Sequence, residues 1–215
     1  MKKSYIITAV VLLLGLTASA QTIGIGDVAV RNHETVAFSI QLTGGGEYVA
    51  SGFSIELPEG FVFTGDAVDG VESSVLKTNL KDGNTMKVAV CSEENQSFGD
   101  DITNLLSLEV TASCKPGTYY GKISGIEFAT NTLGLRKNVA DVPFAIVVKN
   151  MLGDVNSDNR VTITDAVGVV NNILGTPSTN FDKEAANVSG DIDEQGEPKI
   201  TISDAVGVVN MILKK

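Results

Sequence analysis

The stretch GDVNSDNRVTITDAVGVVNNILG (153–175) determines the architecture of the C-terminal part of this 215-residue chain. Its second half returns as TISDAVGVVNMIL (201–213), and the heptapeptide DAVGVVN is identical in the two copies. In each copy, apolar residues recur at the spacing of an amphipathic helix, and an acidic or amide-rich loop precedes them. The sequence therefore predicts two loop–helix units within residues 150–215.

The first loop places oxygen-bearing side chains at the spacing of a calcium-binding loop. Such a twelve-residue loop supplies six to eight hard oxygen ligands from positions 1, 3, 5, 7, 9 and 12, with a main-chain carbonyl at position 7. These positions are occupied here by Asp154, Asn156, Asp158, Arg160, Thr162 and Asp165. Position 6 needs a tight turn and holds Asn159, a residue type that tolerates positive φ.

A helix cap in an acidic surface loop is the competing interpretation, because Asp and Asn also cap helices. One cap needs one oxygen, however, and four acidic or amide side chains occur at the metal spacing. We therefore expect calcium in the first loop. Val161, at position 8, is expected to point inward.

The second loop is less regular, and three alignments with the first loop compete. They begin at Asn187 with six inserted residues, at Asp191 with two, or at Asp193 with none and Pro198 inside the loop. The first is favoured on residue identity, since NVSGD (187–191) resembles DVNSD (154–158). The candidate ligands are Asn187, Asp191, Asp193 and Asp204, with Asp191 and Asp204 favoured; a degenerate loop without metal is the alternative.

From residue 153 onward the chain resembles a type I dockerin, a calcium-binding module of two F-hand-like loop–helix repeats. The resemblance rests on GDVNSDNRVTITDAV and on the repeated DAVGVVN. It implies a small all-α domain over residues 150–215, with one calcium site in the first loop and a second in the other loop unless that loop is degenerate. The second loop, 187–204, is longer than is usual in the family, which puts its metal site in question.

The predicted helices contain more apolar residues than the packing of two helices requires. In the first helix, Gly168, Asn171 and Asn172 are expected on the side opposite the apolar residues. The apolar residues are Ala166, Val167, Val169, Val170, Ile173 and Leu174, repeated as Ala205, Val206, Val208, Val209, Ile212 and Leu213. Surplus apolar surface on a small module predicts a partner surface.

The dockerin resemblance implies that this partner is a cohesin-type module. In that family the contacts come from loop positions 10 and 11 and from the helix that follows. Carried over, these are Ile163, Thr164, Val170 and Asn171 in the first repeat and Ile202, Ser203, Val209 and Asn210 in the second. Because the two sets nearly match, the resemblance implies a near-two-fold surface that could dock in either of two orientations. The alternative occupant is the chain's own N-terminal region.

Residues 21–149 show the alternation of short strands instead. Examples are TVAFSIQL (35–42), MKVAVC (86–91) and VPFAIVV (142–148), with turn formers such as KDGN and CKPG between strands. Eight or nine strands at this spacing predict an antiparallel, jelly-roll-like β-sandwich. The segments TVAFSIQL, GFSIELPEGF, MKVAVCSEENQSF and KPGTYYGKI make the region similar to a cohesin or a carbohydrate-binding jelly roll. The short connection KNMLG (149–153) predicts that the sandwich and the tail touch.

The first twenty residues, MKKSYIITAVVLLLGLTASA, have the build of a cleavable secretory signal. We expect a secreted, periplasmic or cell-surface protein without membrane insertion. Removing Lys2 and Lys3 with this leader leaves 14 basic and 26 acidic residues, a net charge of −12. Such a surface suits divalent cations and argues against nucleic-acid partners, whose phosphates need clustered Lys and Arg.

The two cysteines, Cys91 and Cys114, raise the question of a disulfide in an exported protein. If the strands that end in them pair as a hairpin, the cysteines lie at opposite ends, roughly 30 Å apart. A disulfide needs Cα atoms within roughly 7 Å. We therefore expect two free cysteines.

No catalytic constellation is present, so we expect a protein that is not an enzyme. The only histidine, His33, falls in a polar turn, and no nucleophile elbow, zinc spacing or phosphate loop appears. A sugar platform would have to use Tyr48, Tyr119 or Tyr120, because the chain has no Trp. The leading hypothesis is a secreted, non-catalytic assembly protein in an extracellular polysaccharide-degrading system. The alternative is a carbohydrate-binding sandwich whose dockerin-like tail is a structural cap.

Overall fold

The computed structural model describes residues 22–44, 47–99, 102–132 and 135–214, so the predicted leader (1–20) lies outside the described residues. Within these ranges the chain forms two β-sheets and then a tail with three helices. None of the described helices is long and apolar enough to cross a membrane.

One sheet has five strands, all paired antiparallel. They are β1 (Thr22–Ile25), β3 (Thr35–Thr43), β5 (Phe61–Phe63), β6 (Val68–Asp69) and β9 (Ile102–Ala112). The order is β1-β3-β9-β5, and β6 also pairs with β9.

The other sheet has seven strands. They are β2 (Val28–Arg31), β4 (Tyr48–Glu56), β7 (Ser74–Lys81), β8 (Thr85–Ser92), β10 (Gly117–Thr130), β11 (Arg136–Val139) and β12 (Val142–Lys149). The order is β2-β12-β10-β4-β8-β7, and β11 also pairs with β10. The β2–β12 pair is parallel, which corrects the expectation of a purely antiparallel sandwich.

The alternation of IGIGDVAV (23–30) predicts one strand, but the structure divides it at Gly26 and Asp27 into β1 and β2, which belong to different sheets. Ile23, Val28 and Val30 are all buried. In one unbroken strand, side chains at odd and even positions would face opposite sides, so Ile23 and Val28 could not share a core. The break lets both enter the interior between the sheets. Strands β6, β7 and β11 were not anticipated.

The interior of the sandwich follows the predicted alternation. Phe38, Ile40 and Leu42 of β3 are buried, and their sequence neighbours are more exposed. Phe61 and Phe128 are among the largest fully buried side chains. Burial of such side chains supplies the main favourable term in folding.

The expected free state of the cysteines is found, but the reasoning that led to it was wrong. Cys91 lies on β8, in the seven-stranded sheet. Cys114 follows β9, which belongs to the five-stranded sheet. The two strands therefore do not form a hairpin. Cys91 is exposed, Cys114 is partly buried, and both are free.

The tail contains α1 (Ile163–Ile173), α2 (Lys183–Ala186) and α3 (Ile202–Leu213). Both long helices begin with a capping box, formed by Thr162 with Asp165 and by Thr201 with Asp204. The tail has its own cluster of buried apolar side chains, which includes Val161, as expected. The members of this cluster are Val155, Val161, Ala166, Val169, Ala186, Ala205 and Val208.

The tail touches the sandwich, as the short connection predicts. Asn32 Nδ2, in the turn after β2, donates a hydrogen bond to Asn159 Oδ1 at 3.0 Å. Lys149 Nζ and Glu184 Oε2 form an ion pair at 2.7 Å.

Candidate metal loops and docking groove

The first loop folds around the carboxylate of Asp154, which is fully buried. Its Oδ1 accepts a hydrogen bond from the main-chain N–H of Asp158 at 3.1 Å, and its Oδ2 accepts one from the N–H of Asn159 at 2.9 Å. Asn159 has a φ of 65°, as predicted for position 6, and Ser157 at position 4 has a φ of 64°. The chain thus turns tightly twice to wrap position 1.

Asp165 closes the loop from its other end and is also fully buried. Its Oδ1 accepts a hydrogen bond from the N–H of Val155 at 3.0 Å. Its Oδ2 accepts from the N–H of Thr162 at 2.8 Å and from Thr162 Oγ1 at 3.1 Å. Helix capping therefore explains the hydrogen bonds between Asp165 and Thr162. It does not account for Asp154, which caps no helix.

Burial raises the pKa of Asp154 above its ordinary value. The N–H groups of Asn159 and Asp158 act in the opposite direction, and the negative charges of Asp165 and Asp158 raise the pKa further. In the described ranges the ion pairs are Lys122–Glu56, Arg136–Glu127 and Lys149–Glu184, none of which involves this loop. The loop therefore holds buried negative charge that no described side-chain cation compensates, and a bound cation would do so.

The other predicted ligands of the first loop bond to one another or to the main chain. Asn156 Nδ2 donates to Asp158 Oδ2 at 3.1 Å, and Asp158 Oδ1 accepts from the N–H of Arg160 at 2.9 Å. Across the described residues, no three His, Cys, Asp or Glu side chains are gathered closely enough to hold an ion. The carboxylates alone do not make a centre, so amide, hydroxyl and carbonyl oxygens would have to complete it, as they do in calcium loops.

The packing of the second loop supports one of the three alignments. A Cβ placed on Gly168 would lie 2.8 Å from Val155 Cγ2, and one placed on Gly207 would lie 2.8 Å from Val188 Cγ1. Val188 thus occupies the place of Val155, which pairs Asn187 with Asp154, as the six-residue insertion requires. The inserted segment 192–197 projects as a small hairpin, closed by a bridge between Ile192 and Pro198.

Asp204 repeats the role of Asp165. It is fully buried, its Oδ1 accepts from the N–H of Ser189 at 2.8 Å, and its Oδ2 accepts from the N–H of Thr201 at 2.7 Å. Burial alone would raise the pKa of Asp204, but the hydrogen bonds from Ser189 and Thr201 outweigh it and lower the pKa.

Two further candidates of the second loop have roles within that loop. Asp193 Oδ1 accepts the N–H groups of Gln195 and Glu197, each at 2.9 Å, and so stabilises the turn of the hairpin. Asn187 Nδ2 donates to the carbonyl of Asp191 at 2.9 Å.

The helices α1 and α3 leave an open groove between them, lined only by apolar residues. Its volume is about 340 Å³. The lining residues are Ile163, Ala166, Val167, Val170, Ala205, Val206 and Val209. Ile163 and Ile202 are each 64% exposed, and Val167 and Val206 are 51% and 53% exposed. The expected surplus of apolar surface is therefore present, and the described part of the sandwich does not cover it.

The predicted contact residues do not all belong to the groove. Ile163, Val170 and Val209 line it. Ile202 is an exposed apolar residue at the start of α3. Thr164, Asn171, Ser203 and Asn210 are exposed polar residues of α1 and α3.

The sequence interpretation misplaced the glycines of the repeated heptapeptide. Gly168 and Gly207 were expected on the side away from the apolar residues. Each instead faces a loop valine so closely that a Cβ there would lie 2.8 Å from a methyl carbon. The signal that could have revealed this is the recurrence of Gly, a poor helix former, at one position in both helices.

The tyrosines do not form a flat platform for a sugar. Tyr119 packs edge-on against Phe61, and its hydroxyl donates to the carbonyl of Lys115. Tyr48 packs against Phe128. Tyr120 is 73% exposed, so of the three it alone presents most of its surface.

No protein-family model and no curated protein matches the chain. Solved structures do match. One is a non-cellulosomal cohesin from Archaeoglobus fulgidus, with 15% identity and a TM-score of 0.52, over 60% of this chain and 91% of that one.

Two others are cohesin–dockerin complexes. A type I complex from Clostridium thermocellum matches with 18% identity and a TM-score of 0.51, over 60% of this chain and 99% of that one. The sixth cohesin of scaffoldin B from Acetivibrio cellulolyticus, in complex with a Cel5 dockerin, matches with 14% identity and a TM-score of 0.50, over 60% and 99%.

The sandwich is cohesin-like. At these identities the likeness establishes the fold and not the binding properties. The expectation of a cohesin-like β-sandwich is confirmed as a fold. The dockerin resemblance of the tail stays a prediction.

Proposed function

We propose that this chain is an exported, non-catalytic assembly protein whose tail binds calcium and docks into a cohesin-type protein module. The main support is the apolar groove between α1 and α3, which lies in the same small unit as two loops with buried carboxylates. An exposed surface of this kind on a small module is typical of an interaction site.

Calcium would be held in the first loop by side-chain oxygens and by the main-chain carbonyl of Arg160. The side chains are those of Asp154, Asn156, Asp158, Thr162 and Asp165. Bound there, the ion supplies the positive charge that the buried carboxylates lack. Because these ligands come from both ends of the loop, binding would fix the loop against the start of α1 and add to the folding free energy of the tail.

The second loop offers a weaker site. Its position 1 is Asn187 where the first loop has Asp154, and six extra residues separate Asp191 from the following ligand positions. Asp191 and Asp204 remain its favoured ligands. Asp193 lies in the inserted hairpin, where its Oδ1 accepts two main-chain hydrogen bonds that hold the turn.

The nature of the partner rests on resemblance and on fold. The tail resembles a type I dockerin, and two of the matching cohesin structures were solved as complexes with dockerins. The groove residues Ile163, Val170 and Val209 belong to the contact set that the resemblance implies. The cohesin-like sandwich would serve as a second docking surface or as a rigid companion of the tail. Polysaccharide degradation is the setting that the resemblance implies.

The proposal is tested by capture from the source secretome on the immobilised chain 21–215, with calcium and with chelator. We expect a protein with a cohesin-type sandwich to be retained in calcium and released by the chelator. The variant Val167→Asp with Val206→Asp places charges in the groove without touching the tail interior, and should abolish the capture. Leu174→Asp is the matched control, since Leu174 is 71% exposed and does not line the groove.

Two results would count against docking. One is that no calcium-dependent cohesin-type protein is retained. The other is that the groove variant captures as well as the control. Glycan binding that survives deletion of residues 151–215 would favour the alternative, a carbohydrate-binding sandwich, for which Tyr120 is the exposed aromatic candidate.

A further inference from the structure

Two buried asparagines contact the first loop, one from the sandwich and one from the connection between the sandwich and the tail. Asn32 lies in the turn after β2, and Asn150 follows β12 directly. They are 3% and 7% exposed. Buried amides of this kind are normally held by hydrogen bonds, and the partners of these two show what they support.

Asn32 is fixed by the sandwich and reaches into the tail. Its main-chain N–H donates to the carbonyl of Lys149 at 2.9 Å, and its Oδ1 accepts from the N–H of Cys114 at 3.1 Å. Its Nδ2 donates to Asn159 Oδ1 at 3.0 Å. Position 6 of the first loop is therefore held by a residue that is itself anchored at two points.

Asn150 holds position 4 in the same way. Its Nδ2 donates to Ser157 Oγ at 2.7 Å and to Asp182 Oδ2, in the cap of α2, at 2.6 Å. Its carbonyl accepts from Arg31 Nη1 at 3.0 Å. Position 4 is thus tied both to the sandwich and to the short helix of the tail.

The two supported residues, Ser157 and Asn159, are those of the first loop with left-handed backbone, at φ of 64° and 65°. Residues with a Cβ populate this region sparsely. The main-chain N–H groups of Asp158 and Asn159, in this same turn, point to the carboxylate of Asp154. Support at positions 4 and 6 therefore fixes the part of the loop that surrounds the first ligand.

Among the described residues, no side chain of the sandwich donates a hydrogen bond to the second loop in this way. Its position 4 is Gly190, with a φ of 78°, a conformation that glycine adopts at no steric cost. The side-chain hydrogen bonds of Asn187, Ser189, Asp193 and Asp204 all remain within that loop.

We infer that the sandwich preorganises the first loop for calcium, with Asn32 and Asn150 as positioning residues, so that calcium affinity and the contact between tail and sandwich are coupled. This rests on the proposed calcium binding. A loop already held in its binding conformation loses less conformational freedom when the ion binds. By linkage, calcium strengthens the contact by the same factor by which the contact strengthens calcium binding.

The test follows amide resonances of ¹⁵N-labelled chain 21–215 during calcium titration, so that each loop reports its own affinity. Asn32→Ala is expected to weaken binding at the first loop about fivefold to tenfold, the loss expected for one hydrogen bond. Binding reported by Ser189 and Gly190 should not change. Asn79→Ala is the matched control, because Asn79 is exposed on β7, at the opposite edge of the seven-stranded sheet from β2.

Asn32 also accepts a hydrogen bond from Cys114 within the sandwich, so Asn32→Ala removes that bond as well. A second variant therefore changes only the tail. Asn159→Gly removes the acceptor of the hydrogen bond and relieves the left-handed strain. In that background, Asn32→Ala should change first-loop affinity by less than about twofold, since the partner is already gone. An equally large effect of Asn32→Ala in both backgrounds would show general damage to the fold and would overturn the inference.

The outcomes separate this inference from the proposed function. If neither loop of the unmodified chain binds calcium, calcium binding itself is wrong and the coupling falls with it. If the first loop binds calcium and Asn32→Ala leaves its affinity unchanged, calcium binding stands and only the coupling is wrong.

Discussion

The two loop–helix repeats of the tail share the identical heptapeptide DAVGVVN, and the structure shows how far their likeness extends. Both helices begin at a Thr with a buried Asp three residues later. Both present a glycine to a loop valine. The loops before them differ. The first has Asp at position 1 and contacts the sandwich, while the second has Asn there and carries an extruded hairpin. The repeated heptapeptide thus specifies the helix and its cap, and the preceding residues specify what the loop can bind.

The largest effect that we expect follows from the loss of calcium binding by the first loop. Asp154→Ala with Asp165→Ala removes both buried carboxylates of the first loop. At calcium about a hundredfold above Kd, the tail would lose about 3 kcal/mol of stabilisation. The capping box of α1 would also lose the half that Asp165 supplies, although Thr162 would remain as the N-cap. We expect a large loss of helical circular dichroism. Glu194→Ala with Glu197→Ala removes the same charge from the hairpin and should keep the signal. An unchanged spectrum of the first variant would contradict the calcium account.

The next test makes the second loop resemble the first. Deletion of residues 192–197, combined with Pro198→Gly, leaves a twelve-residue loop from Asn187 to Asp204 with a glycine at position 6. We expect calcium affinity at this loop to rise roughly tenfold, because the ligands on both sides of the hairpin become neighbours in one loop. Calorimetric titration of the variant measures this. If the calcium affinity of the second loop does not change, the hairpin is not what weakens calcium binding there.

A smaller effect compares the two glycines. Helix propensity favours Ala over Gly by about 1 kcal/mol, but overpacking opposes it by about 1–3 kcal/mol. A Cβ on Gly207 meets Val188 at two atoms, 2.8 and 3.2 Å away, whereas one on Gly168 meets a single methyl of Val155 at 2.8 Å. Gly207→Ala should therefore destabilise the tail by about 1 kcal/mol, and more than Gly168→Ala does. Thermal unfolding followed by helical circular dichroism measures both.

Val188→Ala should relieve most of the effect of Gly207→Ala, because it removes the methyl group that the new Cβ meets at 2.8 Å. Equal stabilisation by both alanines would show that the glycines are not packing positions.

The smallest effect concerns pH. The pKa of Asp154 is raised, so its ionised form lowers the stability of the metal-free tail, and acidification through that pKa relieves this destabilisation. The pKa of Asp204 is lowered, so it stabilises the fold above the unfolded value near 3.8, and this is lost as pH falls through the folded pKa. Protons should therefore compete with calcium at the first loop before they affect Asp204. Titrations at pH 7 and at about pH 5 test this. A second loop that is more sensitive to acid would contradict it.

The sequence was informative wherever local pattern decides structure. Strand alternation such as that of TVAFSIQL led to the sandwich, and the spacing from Asp154 to Asp165 led to the first loop and to the left-handed turn at Asn159. The change of sheet between Ile23 and Val28 could also be predicted from the sequence, because the two apolar residues stand at an odd and an even position. The alternation nevertheless predicts one strand, because no Pro or long polar break divides it.

The remainder depends on contacts between distant residues. Nothing near Asn32 in sequence indicates that it supports position 6 of a loop 127 residues away. Helical periodicity alone placed Gly168 with the neighbouring asparagines, because the valine against which it packs belongs to the preceding loop. The hairpin 192–197 left three alignments open, and the packing of Val188 distinguishes them only in three dimensions.

The most direct test of the central claim is a calorimetric calcium titration of the chelator-treated chain 21–215, beside its Asp154→Ala, Asp165→Ala variant. The account predicts saturable uptake of at least one ion by the unmodified chain, and loss of the tighter site in the variant. The absence of uptake by the unmodified chain, or the same uptake by both proteins, would contradict it.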